Sequence, residues 1–284
     1  MLTVRKATLD DVRDIVSVHT ADEDLSSLSV GERYLHGGPW MSVETCSAHI
    51  NALLIEKQLP VVAELEGRVV GEAETFFSTE PISGKVLKIA HIDVIEVHPD
   101  FRRAGIGRAL VGFIENVAIE RGVEFVTTQP DESALGFYRK LGFRWVLYDG
   151  VLVEIRTEGF ESVEVKPLPF FPWEAVRSLE LVAGRFQSSY DMWFSSFRDL
   201  FAGVHELKEA GKVGDSYYVL KSLPGRPGKA SLFLWGSLEA VPAAVARAGD
   251  LGFGRVLTVL EREVVKYIEA EEKVEVPIKG KRLV

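Results

Sequence analysis

Apolar and polar residues alternate over 2–7, as on a strand with one face turned inward. At Thr8 the period changes. Thr8 stands as a helix N-cap with Asp11 at the capping-box position, and Val12, Ile15, Val16 and Val18 form an apolar helical face. Residues 21–40 have little periodicity and end in His36-Gly37-Gly38-Pro39-Trp40, which reads as a long connection holding one short helical piece. A helix follows over 42–57, then strands over 60–65 and 68–77 joined by the tight-turn pair Glu66-Gly67, then a strand over 86–97. A helix is predicted over 108–121, with Ala109, Leu110, Phe113, Ile114, Val117 and Ala118 at helical spacing and Gly122 placed to end it. Next come a strand over 123–128 and a helix over 131–141 closed by Gly142. Segments 144–148 and 151–157 flank Asp149-Gly150, a hairpin signal. This order predicts an α/β domain with a mixed (α+β) sheet.

The second half begins the same programme again. Val163-Glu164-Val165-Lys166-Pro167-Leu168 aligns with Leu2-Thr3-Val4-Arg5-Lys6-Ala7, and Trp173, Val176 and Leu179 fall where Val12, Ile15 and Val18 fell. His205 to Glu209 aligns with Ala63 to Gly67, which matches Gly214 to Gly71 once one residue is inserted. Strands over 229–235 and 255–260 flank a helix over 238–248. The expectation is a tandem of two similar folds, 1–158 and 159–284, against the alternative of an unrelated second α/β domain. The clusters Phe170-Phe171-Pro172-Trp173 and Met192-Trp193-Phe194 read most simply as core or contacts between the halves, with the wall of an acceptor pocket as the alternative.

Charge narrows the partners. Lys+Arg 33 against Asp+Glu 42 gives a net charge of −9, a field that disfavours nucleic acid. No apolar run is long enough for a bilayer and the start lacks a leader's layout, so the expectation is a cytoplasmic protein with no membrane partner. Cys46 is the one cysteine; it lies three residues from His49, but a free cysteine is more often a small buried hydrophobe. His19, His36, His98 and His205 show no metal-ligand spacing, so no metal is expected.

Candidate chemistry concentrates in the strand, loop and helix Ile95-Glu96-Val97-His98-Pro99-Asp100-Phe101-Arg102-Arg103-Ala104-Gly105-Ile106-Gly107-Arg108-Ala109-Leu110. Glycines at 105 and 107 let backbone approach a bulky anion, and the helix start aims free N–H groups and the positive dipole end at it. Arg102, Arg103 and Arg108 add charge. A dinucleotide fingerprint would need a third glycine where Leu110 stands, and a P-loop would need Gly-Lys-Ser/Thr.

The Arg-x-x-Gly-x-Gly stretch after Val97-His98-Pro99, with Ala134-Leu135-Gly136-Phe137-Tyr138-Arg139-Lys140-Leu141-Gly142-Phe143 downstream, resembles the acetyl-CoA motifs of the GNAT superfamily of N-acetyltransferases over roughly residues 2–157. The resemblance implies two splayed central strands holding a pantetheine arm, and direct acyl transfer from the thioester to a primary amine of a small molecule or a protein. It implies that the backbone of Ile95, Glu96 and Val97 pairs with the pantetheine. Arg102, Arg103, Ala104, Gly105, Ile106 and Gly107 would then hold the pyrophosphate, with Arg108 beside them. Tyr138 sits where many members place the acid that protonates the departing thiolate. His91 takes the position of the usual glutamate base, with Asp93 on its strand face by alternation and Glu96 on the other face unless a bulge intervenes. Asp131 replaces a common asparagine.

In the second half the matching stretch is Leu234-Trp235-Gly236-Ser237-Leu238-Glu239-Ala240, without paired glycines or arginines. Only the first half is therefore expected to hold acetyl-CoA, in a monomer with pseudo-dimeric halves or a homodimer. The acceptor pocket is expected from 21–40. Rival readings are a non-catalytic acyl-CoA sensor and an interaction scaffold.

Overall fold

The computed structural model of the chain describes residues 1–202 and 206–283; His205 lies outside them. The first half contains β1 (Leu2–Lys6), α1 (Val12–His19), α2 (Val30–Gly37), α3 (Val43–Ile55), β2 (Leu59–Leu65), β3 (Arg68–Ile82), β4 (Lys85–Val97), α4 (Ile106–Glu120), β5 (Phe125–Thr128), α5 (Leu135–Lys140), β6 (Trp145–Tyr148) and β7 (Gly150–Arg156). The second contains β8 (Lys166–Leu168), α6 (Trp173–Val176), β9 (Leu181–Ala183), α7 (Ser189–Ala202), β10 (Leu207–Val213), β11 (Ser216–Ser222), β12 (Lys229–Trp235), α8 (Val241–Asp250), β13 (Arg255–Glu261), α9 (Arg262–Val265), β14 (Glu271–Glu275) and β15 (Ile278–Arg282).

Local chemistry explains the early boundaries. Asp11 accepts the Thr8 N–H at 2.8 Å and holds the Arg5 guanidinium through both carboxylate oxygens, tying the α1 start to β1. The short helix within 21–40 is α2, opened by a Ser29/Glu32 capping box. Glu66 and Gly67 both take positive φ (54° and 81°), the conformation a two-residue hairpin needs.

Each sheet carries the same strand order. The first runs β1-β2-β3-β4-β5-β15-β6 and the second β8-β10-β11-β12-β13-β7-β14, with β9 added beside β12. The pairs β4/β5 and β12/β13 are parallel and all other pairs are antiparallel. The halves exchange a strand: β7 completes the second sheet between β13 and β14, and β15 completes the first between β5 and β6. A cut between 158 and 159 therefore separates neither sheet from the other.

Two expectations are corrected. Segments 144–148 and 151–157 do not pair as a hairpin, since β6 and β7 lie in different sheets. Gly150 is instead demanded by crowding: its carbonyl accepts from Val276 N at 2.8 Å, and a Cβ there would lie 2.5 Å from the Val276 carbonyl oxygen. The alignment of 205–209 with 63–67 is also out of register. Gly214, with φ of 55°, turns β10 into β11, the place Glu66 holds in the first sheet with φ of 54°, whereas Gly71 lies inside β3 against the Glu96 carbonyl.

One face of the first sheet buries Ala73, Ala90 and Ile92 under Ile106, Leu110 and Ile114 of α4. The opposite face lies in a core shared by both halves, from Ile15, Ile50 and Phe76 to Phe171, Trp193 and Trp235. Both aromatic clusters serve here: Trp193 Nε1 donates to the Phe171 carbonyl at 2.9 Å, and the Phe194 ring meets Phe76 at 5.4 Å. A buried ion pair reinforces the join. Glu80, fully buried, accepts from Arg185 Nη1 at 2.6 Å, from the Ser189 and Tyr190 amides at the start of α7, and from Ser78 Oγ. Among the described residues no helix is long and apolar enough to cross a membrane.

Candidate active site

β4 and β5 pair from Ile89/Phe125 to Ile92/Thr128, and there the ladder stops. β4 continues to Val97, so beyond Ile92 its edge toward β5 is open and the two strands form a cleft. At the same level β4 bulges: Val94 opposes Glu74 and Ile92 opposes Thr75, leaving Asp93 as the extra residue. The bulge changes which side chains share a face. His91 opposes Phe76 and Glu96 opposes Glu72, so His91 and Glu96 share a face, with Asp93 at the irregularity between them. Simple alternation had placed Asp93 with His91 and Glu96 opposite.

At the mouth of this cleft lies the arginine-glycine loop. Arg103 and Gly105 take positive φ (65° and 84°), and Gly105 caps α4, whose first turn presents amides with no intrahelical acceptor. Arg103, Ala104, Gly105 and Arg108 are exposed, while Ile106 is buried and anchors the helix start. A Cβ at Gly107 would meet the Phe137 ring at 3.2 Å, so this glycine lets α4 approach α5 closely. Arg102 folds back: Nε donates to the Val97 carbonyl and Nη2 to Glu96 Oε1, both at 3.1 Å. Exposed amides, a helix N-terminus and free-facing Arg103 and Arg108 suit a pyrophosphate.

Tyr138 is buried beside Phe137 and Phe143 at the closed end of the cleft. Burial pushes its phenol up to about 12, opposed by a hydrogen bond with Thr128, the last paired residue of β5. Asp93 and Asp131 add a smaller push in the same direction, which places both carboxylates within electrostatic reach of the hydroxyl. Asp131 itself is exposed. A cavity of about 510 Å³ beside Tyr138 is walled by Arg139 and Arg144 and, from the chain's far end, by Pro277 and Lys279.

His91 is fully buried with both ring nitrogens engaged, Nδ1 with Thr127 Oγ1 at 2.9 Å and Nε2 with Gln187 Oε1 at 2.7 Å. Burial lowers its pKa, and no ring nitrogen is left to face a substrate. Geometry thus seals His91 between the halves. Cys46 is also buried, with its thiol pKa pushed up, and His49 turns to Glu74 rather than to it.

Around Asp93 and Glu96 the structure gathers residues that sequence reasoning passed over. Glu72 and Glu74 of β3 are fully buried on the Glu96 face. Glu74 accepts from Trp40 Nε1 at 2.8 Å and His49 Nε2 at 2.7 Å. Glu72 Oε1 lies 2.5 Å from His19 Nε2, and His19 stacks on Trp40 with ring centroids 5.2 Å apart. Burial, then Glu74, Asp93 and Glu96, raise the Glu72 pKa well above the usual carboxylate range, while burial lowers His19 to about 4. The short contact engages Glu72 Oε1 with the imidazole and leaves Oε2 to find a partner elsewhere. Glu72, Glu74 and Glu80 recur in phase on a strand whose every residue from 69 to 76 is buried; that phase among apolar neighbours was the available signal. Trp40 comes from the stretch expected to shape an acceptor pocket.

The second half's equivalent junction is already closed. Ser237 N donates to Ser216 Oγ, Glu239 N to Ser237 Oγ and Gly236 N to the Glu180 carbonyl. Glu164, Glu180, Asp215 and Glu239 line the adjoining cavity, a charge that opposes a pyrophosphate. Among the described residues no group of three or more side chains is arranged to hold a metal.

Residues 27–143 match the Acetyltransferase (GNAT) family. The chain is 35% identical over 78 residues to the glucosamine 6-phosphate N-acetyltransferase of Trypanosoma brucei brucei, covering 28% of this chain and 52% of that protein. It is 34% identical over 83 residues to the glucosamine 6-phosphate N-acetyltransferase of Schizosaccharomyces pombe, covering 29% of this chain and 74% of that protein. The chain thus spans about half the length of the first of these relatives. Among solved structures, a GCN5-related N-acetyltransferase from Kribbella flavida superposes with a TM-score of 0.67 at 16% identity, covering 100% of this chain and 72% of that one, which is a likeness of fold across both halves.

Proposed function

Because the chain belongs to the GNAT family of acetyltransferases, we propose that it transfers an acetyl group from acetyl-CoA to a primary amine by direct attack within a ternary complex. The observation that carries this reading is the unpaired β4 edge beyond Ile92, opening onto the exposed amides of the Arg103 to Gly107 loop. Acetyl-CoA supplies the activated thioester. Ile95, Glu96 and Val97 offer backbone partners to its pantetheine, and the loop and helix start take its pyrophosphate.

The acceptor approaches from the face of Glu72 and Glu96. As an ammonium with a reference pKa of about 10 it must shed a proton before attack. With His91 sealed, Asp93 is the half-buried carboxylate best placed to take that proton, directly or through water. The amine nitrogen then bonds to the acyl carbon, the C–S bond breaks, and Tyr138 donates its phenolic proton to the departing thiolate. The nitrogen's surplus proton leaves to solvent, which restores Tyr138. The second half holds no cofactor; it seals His91 and completes the first sheet with β15.

Calorimetry with acetyl-CoA followed by thiol release across an amine panel tests this. Binding plus amine-dependent thiol release is expected. No binding of acetyl-CoA refutes the cofactor site, and binding without release from any amine leaves a sensor.

A further inference from the structure

Glu72 and Glu96 face each other directly across β3 and β4. Carboxylates opposite one another on neighbouring strands cost stability, and here Glu74 and the bulged Asp93 crowd the same spot. The neighbouring groups offset this charge only at Glu96. His19 is neutral, His49 and Trp40 are committed to Glu74, and Arg102 reaches only Glu96 from the exposed side. Most telling, Glu72 Oε2 is buried without a hydrogen-bond partner. A buried carboxylate oxygen left unpaired calls for a donor that arrives from outside.

The mouth of this acidic site is at Glu96, whose side chain is 34% exposed, and the interior ends on His19, whose side chain is 7% exposed and stacked on Trp40. The unpaired oxygen lies on an acidic face beside Glu96, where an organic ammonium supplies both the N–H donor and the opposite charge. The reacting nitrogen must be neutral when it attacks beside Asp93, so it cannot also be the ammonium that donates to Glu72 Oε2 and pairs with Glu96. From Asp93 to Glu96 the strand rises roughly 10 Å, within reach of an extended aliphatic chain.

Resting on the acetyl-transfer reading above, we propose that the acceptor is a short aliphatic di- or polyamine, one nitrogen reacting beside Asp93 while another, as ammonium, donates to Glu72 Oε2 and pairs with Glu96. The same site disfavours an amine that carries phosphate, which is the acceptor named for the trypanosomal relative.

The test is calorimetry of the full chain saturated with CoA, titrated with putrescine, butylamine and glucosamine 6-phosphate, alongside thiol release from acetyl-CoA with the same three amines. Putrescine is expected to bind about tenfold or more tighter than butylamine, because one added charge pair is worth about a factor of ten when partly desolvated. Glu72→Gln and Glu96→Gln should each shrink that ratio to about threefold or less, with butylamine on the same variant as the reference. If Glu72→Gln fails to fold, Glu96→Gln decides. Equal binding of putrescine and butylamine, or tighter binding of glucosamine 6-phosphate, overturns the proposal. Thiol release from the phosphorylated amine alone would sink the diamine and keep the acetyl transfer. Putrescine binding without thiol release from any amine would keep the site and sink the transfer.

Discussion

Replacing Arg185 by methionine removes the guanidinium that meets the fully buried Glu80. Arg185 also donates to the Pro81 carbonyl at 2.7 Å and lies 5.5 Å from the centre of the Tyr148 ring, so the substitution deletes more than a pair. Breaking a buried ion pair from one side costs about 3–5 kcal/mol, since the partner is left charged in an apolar setting. Glu80 keeps three donors, the Ser189 and Tyr190 amides and Ser78 Oγ, which places Arg185→Met near the lower end. For a chain of this size about 3 kcal/mol corresponds to a fall in Tm of roughly 6–12 °C. Adding Glu80→Gln should recover part of that loss, because a neutral amide can still accept from the α7 start without a buried charge to solvate. Calorimetric melts of the parent, both single variants and the double variant read this directly. A shift below about 2 °C for Arg185→Met, or strict additivity in the double variant, would refute the view that this pair staples the halves together.

Two further perturbations have outcomes set by the same geometry. Tyr138→Phe should lower kcat by roughly a hundredfold with acetyl-CoA affinity unchanged, as expected for loss of a general acid. Because burial holds the Tyr138 phenol up at about 12, it stays protonated below pH 10, so parent and variant should share any alkaline limb seen there; a limb that vanishes in the variant would contradict the assignment. The sign for stability agrees: a folded pKa above the unfolded value of about 10 gives a contribution intact below pH 10 and lost as pH rises toward 12, so alkaline melts should show Tyr138→Phe losing less over that window. Ending the chain after Val276 removes β15 and bares the edges of β5 and β6; the product should aggregate on size exclusion, and a monomer with the parent Tm would disprove the dependence.

The elements of the first half were legible because period and caps are local. Thr8 with Asp11, Glu66 with Gly67, and the loop from Arg102 to Gly107 each declare themselves within a few residues. What a strand pairs with is not local. The alternation over 150–156 is the same whichever sheet receives it, and Asp149-Gly150 resembles a hairpin turn although Gly150 answers to the Val276 carbonyl. Ile278 to Arg282, with only one buried apolar side chain, does not announce a central strand at all. The candidate site was half readable. Its backbone loop and Tyr138 are candidates that motif and spacing can nominate, whereas Glu72 and Glu74 look like the wet face of a strand until α1 and α3 bring His19 and His49 against them. His91 failed for a similar reason, since Gln187, which seals it, comes from the other half. The bulge at Asp93 exchanges the faces of everything after it, and nothing in the residues at 91–97 marks it.

The exchanged strands also set the order in which this protein can be made. Thr128 of β5 must wait for Lys279, so the first sheet stays unfinished while the whole second half is synthesised and arranged. Contacts that distant are slow to form, and a slot left open between β5 and β6 accepts a matching strand from any chain that offers one. At high concentration during refolding, two copies can therefore trade β15 and close each other's sheets, giving interlocked pairs built from the same contacts as the single chain. Dilution during refolding should favour the self-closed form.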